Sequence, residues 1–132
     1  MYSRILSDLE ARITQELAKP ELTAKRILRL LPAEKGFTFF HEFARPTKTT
    51  VHSLKEFQTA IKEVDPKSIQ FHMERGDFAR WIRQVIGDEK LADEIAKLVD
   101  RKLVGEPLHK TLLNTVKNRV TELEQIAVKP TA

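Results

Sequence analysis

Apolar residues at Ile5, Leu6, Leu9, Ile13 and Leu17 recur every three or four positions, with Asp8, Glu10, Arg12 and Glu16 filling the gaps. This is the stripe of an amphipathic helix over residues 3–18. Pro20 has no amide proton and its ring crowds the preceding turn, so it is expected to end that helix. Leu22, Ile27, Leu28, Leu30 and Leu31 predict a second helix over 21–31, closed by Pro32 and Gly36. Residues 1–33 are thus expected to form an N-terminal helical hairpin. The period then shortens to two. Phe37, Phe39, His41 and Phe43 alternate with Thr38, Phe40 and Glu42, the pattern of an extended segment with one buried face. A lone strand leaves its backbone groups unsatisfied. Residues 47–51, beyond a turn at Arg45-Pro46, are the nearest partner for a short β-hairpin near residues 37–51; the alternative is an extended phenylalanine-rich stretch.

From Ser53 the punctuation sharpens. Ser53-Leu54-Lys55-Glu56 is a capping box, predicting a helix over 54–64 with Leu54, Phe57 and Ile61 inward. Asp65-Pro66 supplies an N-cap and a first-turn proline for a helix over 66–75, stopped by Gly76. Asp77 is then expected to cap a helix over 78–86 whose apolar face is Phe78, Trp81, Ile82 and Val85. Gly87-Asp88 repeats the stop and start, opening a helix to about residue 101 with Leu91, Ile95, Leu98 and Val99 inside. After Gly105 a long C-terminal helix over 106–127 carries Leu113, Val116, Val120 and Leu123 at 3,4,3 spacing, beside Leu108 and Leu112. That seam serves either packing within the domain or a short dimer interface. The fold class is mainly α: a compact multi-helix single domain over 1–132. Its expected core is Phe57, Ile61, Ile69, Phe78, Trp81, Ile82, Leu91 and Ile95.

Composition narrows the function. With 41% hydrophobic and 32% charged residues and only 4 Gly, the chain is globular and helix-leaning. No run approaches the ~18 apolar residues of a membrane span, so a cytoplasmic protein with no membrane partner is expected. The absence of Cys excludes disulfides, thiolate metal sites and a cysteine nucleophile. His41, His52, His72 and His109 are scattered, with no i, i+4 pair, so no metal and no cofactor are expected. The glycines stand singly, with no phosphate loop and no G-x-S-x-G element.

Lys and Arg number 23 against 19 Asp and Glu, a net charge of +4. The excess is small and spread over both halves, so only local clusters matter. Lys25, Arg26 and Arg29 form one, and Arg75, Arg80 and Arg83 another; both are candidates for binding a partner or phosphate, against the plainer reading of a solvated helix face. Arg101, Lys102, Lys110, Lys117 and Arg119 form a third cluster. The densest stretch is residues 71–82. There His72 and Asp77 would be base and orienter if a cleft joined them. The plainer reading makes Asp77 a helix cap, Trp81 a core filler and His72 a buried histidine bonded to backbone.

Four elements carry a resemblance: Ser53-Leu54-x-Glu56-Phe57, Val64-Asp65-x-x-Ser68-Ile69-x-Phe71-His72, Arg75-Gly76-Asp77-Phe78-x-x-Trp81-Ile82, and Ile86-Gly87-Asp88-x-x-Leu91-Ala92. In these the chain resembles a small, mainly archaeal prokaryotic domain family of unknown function, over residues 37–98 of a family-like core at 37–101. The resemblance implies a fold, with His72, Asp77 and Trp81 as structural pattern residues, and brings no activity, cofactor or catalytic residue. The expectation is a non-catalytic interaction module, an adaptor or regulator of a protein or ribonucleoprotein partner, monomeric or weakly dimeric through the C-terminal helix. The alternative is a nucleic-acid-binding protein (RNA or DNA) using basic helical faces. An enzyme acting through His72 and Asp77 is the third reading, and nothing in the spacing compels it.

Overall fold

In the computed structural model, which describes residues 2–128 and the side chains of all of these except 2–6, 14, 15 and 17, helix α1 (Tyr2–Ile27) runs unbroken through Pro20. The expected N-terminal hairpin is therefore a single long helix. A proline removes one i→i−4 hydrogen bond, at a cost of about 3 kcal/mol, without forcing the chain to reverse. Among the described side chains of α1 the buried ones, Ala24 and Ile27, both lie beyond Pro20, and the helix packs on α6. Residues 7–13 are exposed, and the helix continues through them without reversing into a hairpin. The helix ends at Ile27 rather than Leu31, and the chain turns so that the Leu31 amide donates to the His52 carbonyl.

A 3₁₀ turn, Ala33–Lys35, leads into β1 (Phe37–Glu42) and β2 (Arg45–Val51), an antiparallel pair. The expected hairpin is present, but its turn falls at Phe43-Ala44, where Ala44 takes a left-handed backbone (φ 63°), and Arg45-Pro46, expected to form the turn, instead open β2. Phe37 lies opposite Val51 and Thr38 opposite Thr50; the register then shifts on both sides of Phe40, which faces Pro46. Such irregularities break strict alternation. Phe39 is buried, but Phe43, expected on the same buried face, sits in the turn 77% exposed.

Helices α2 (Leu54–Glu63) and α3 (Pro66–Arg75) follow as the caps predict. Ser53 Oγ accepts from the Glu56 amide, while the Glu56 carboxylate accepts from the amide of His52, one residue before the usual capping-box donor. Helix α4 (Asp77–Trp81) continues as a π-helical turn (Ile82–Ile86), in which the Ile82 carbonyl receives the amides of Gly87 and Asp88. Gly76 (φ 72°) and Gly87 (φ 89°) adopt the left-handed backbone that lets each helix stop and the next begin at once. Helices α5 (Glu89–Asp100) and α6 (Gly105–Ala127) complete the chain.

All eight residues expected in the core are buried. Phe37, Phe39, Phe57, Phe78 and Trp81 interlock with ring centroids 5.1 to 6.5 Å apart. In α6, Val116, Val120 and Leu123 of the expected seam are buried within the domain with Leu108 and Leu112, while Leu113, expected at the head of the seam, is only partly buried. Asp88 joins α5 to α6: it caps α5 through the Leu91 amide and receives the Arg119 guanidinium at 2.8 and 3.0 Å. Arg119 also bonds Glu122. Among the described residues no helix is long and apolar enough to cross a membrane.

Candidate functional site

Ser68 and His72 lie four residues apart on α3 and so share one face. Together they hold one residue of β1. Ser68 Oγ donates to the Phe40 carbonyl at 2.7 Å, and the Phe40 amide donates to His72 Nε2 at 2.8 Å. Opposite Phe40 stands Pro46, which has no amide to offer, and α3 takes the place of a third strand along that edge.

The other ring nitrogen of His72 completes a chain of contacts. Nδ1 lies 2.8 Å from Asp77 Oδ2, and His72 is only 2% exposed. A backbone amide at Nε2 and a carboxylate at Nδ1 require the neutral tautomer with its proton on Nδ1. Burial pushes the His72 imidazole below its ordinary value, against the upward pull of Asp77. For Asp77, burial acts to raise the carboxyl, but hydrogen bonds from His72 and Arg80, with the charges nearby, outweigh it and hold it below the usual value. Arg75 Nε donates to Oδ2 at 3.1 Å and Arg80 to Oδ1 at 3.0 Å. Asp77 is thus a hub for three side chains. The expected cap role is not what it performs: Gly76 occupies the N-cap position, Asp77 is the first residue of α4, and no side chain caps that helix.

Between the hairpin and α3 lies a groove of about 360 Å³ lined by Phe37, Thr38, Phe40, Phe43, Phe71 and Ala44, with His72, Asp77 and Arg75 at its polar end. The Arg75 guanidinium stands over the rings of Phe71, 5.2 Å from the centroid, and Phe43, 6.0 Å away.

Of the expected site residues, the structure brings together His72, Asp77, Arg75 and Arg80. Arg83 lies apart from them, bonded to Glu89 and Asp93 of α5. Arg29 donates to the carbonyls of Val85 and Ile86 at 2.9 and 3.0 Å, closing the end of the π-helical turn. Lys25 and Arg26 are exposed on α1 beside it. Trp81 is buried, its indole N–H donating to the Lys35 carbonyl at 3.0 Å, so it fills the core and offers no stacking surface. Phe40, Phe43, Phe71 and Ser68 are not among the site residues expected from the sequence. For Ser68 a signal lay in its i, i+4 placement with His72, two polar residues on a helix face that also carries Ile69 and Met73. Among the described residues no group of His, Asp and Glu could hold a metal ion. Comparison with family models, with curated proteins and with solved structures finds no match.

Proposed function

We propose that the chain is a cytoplasmic, non-catalytic interaction module that binds a partner protein in the groove between the hairpin and α3. The observation that carries this reading is the double engagement of His72. A general base needs a free lone pair aimed at substrate. Here Nε2 is taken by the Phe40 amide and Nδ1 by Asp77, so the pair holds the hairpin to α3 and has no proton chemistry left to offer. At the surface this leaves phenylalanines and an arginine, the residue types enriched in the centres of protein interfaces. The nucleic-acid alternative draws on the net charge, but Arg29 already donates to the Val85 and Ile86 carbonyls and Arg83 is paired at the surface with Glu89 and Asp93.

A photo-crosslinking benzoyl group on the ring of Phe43, compared with one at Lys117 on α6, tests the reading in cells of the source. A discrete protein adduct at position 43 and none at 117 is the expected result. Adducts to RNA or DNA, or no difference between the two positions, would overturn it.

A further inference from the structure

We infer that the groove recognises a short acidic segment of the partner in which a bulky apolar side chain stands beside a carboxylate: the side chain enters the groove and the carboxylate meets the Arg75 guanidinium. This rests on the groove being a protein-binding surface. Arg75 is held before any ligand arrives, with Nε anchored on Asp77 and the guanidinium set over two phenylalanine rings. Its two terminal amino groups have no partner among the described residues. A planar fork fixed in this way loses little freedom on binding and matches the two oxygens of a carboxylate. Arginine clusters that capture phosphate groups present several such forks, whereas Arg80 uses its own on Asp77 and the Arg75 carbonyl.

The charges at this end do not cancel. Asp77 faces two arginines, Arg75 and Arg80, and His72 beside it is neutral. Arg45 is paired with Glu42, and Glu74, the one acid of α3, does not line this groove and accepts from Gln70. The surplus is positive and complements an anion.

The rest of the groove selects against a nucleobase. A base carries polar edges that need partners once out of water. Apart from Arg75, the polar side chains lining the groove are already engaged: Thr38 with Thr50, His72 with Phe40 and Asp77, Asp77 with its three donors. An aliphatic or aromatic side chain asks for no such partner.

The test is selection of a phage-displayed random peptide library on the immobilised full chain, followed by fluorescence anisotropy of the recovered peptides and of labelled oligouridine and oligothymidine. The expected peptides share a bulky apolar residue next to Asp or Glu. Arg75→Ala should weaken them about tenfold or more, as should replacing the peptide acid by its amide, the scale of a lost charge-assisted pair. Arg75→Lys, which keeps the charge and loses the fork, should weaken them nearly as much, and Arg83→Ala should leave them unchanged. Arg75 is exposed, and circular dichroism checks that its variants stay folded. Peptides without an acid, or equal binding to Arg75→Ala, overturn the inference; if Phe43→Ser still abolishes that binding, the protein-binding reading of the groove stands. No enriched peptide, or salt-sensitive binding of the oligonucleotides alone, overturns both.

Discussion

His72 joins three parts of the chain through one ring: α3 that carries it, β1 through the Phe40 amide and α4 through Asp77. His72→Ala removes an acceptor, a donor and packing against Phe37, Phe39 and Phe78 at once. Buried groups left unsatisfied and a new cavity predict a loss of about 2–4 kcal/mol in urea unfolding. The same residue sets a pH dependence. Its folded value lies below the ordinary 6.5, so the unfolded chain takes up the proton first. Stability should be complete above about pH 6.5 and fall as the pH drops from there through the folded value. Asp77, also lowered, contributes above its ordinary 3.8 and loses that contribution in more acid solution. Thermal unfolding between pH 7 and 5 checks the first slope, which His72→Phe should flatten. Part of this is legible in the sequence: a histidine bonded to backbone is expected at position 72, because the stretch around it reads as buried helix. Its partner is not legible, because Phe40 lies 32 residues earlier, and no local pattern encodes which amide arrives.

Capping chemistry is written within four residues of where it acts, and so the starts of α2, α3 and α5 were legible from Ser53, Asp65 and Asp88. The limits of α1 and the role of Asp77 were not, since each depends on what packs alongside. Asp88 acts at both ranges. Its cap was readable, while its buried bond to Arg119, 31 residues away, was not. Breaking a buried pair leaves a charge uncompensated, so Arg119→Leu should destabilise the protein by about 3–5 kcal/mol, measured by urea unfolding. The double variant Asp88→Asn with Arg119→Leu should lose less than the two single losses added, because neither charge is then stranded. In α1 the effect runs the other way. Pro20→Ala restores the amide that a helix interior needs, and should raise the far-ultraviolet helical signal and stabilise the helix by up to about 3 kcal/mol.

At the scale of the molecule, the mainly helical frame and much of its interior follow from periodicity, while the groove exists only because a hairpin and a helix distant in sequence come to lie side by side. Aromatic residues that looked alike along the chain divide there into core, Phe39, and surface, Phe43. The same juxtaposition bears on how copies of the protein meet one another. A two-stranded sheet has two rims along which another chain could stack, and α3 blocks the one at Phe40. The far rim, along β2, faces no other described strand, and it carries Pro46 and Lys48, the residue types that discourage stacking on an open strand. Replacing both with valine should give a chain that gains thioflavin fluorescence on incubation, while Arg83→Ala should not. Self-association is thus held in check on one side by architecture and on the other by two side chains, so mutational drift toward aggregation has a single open route.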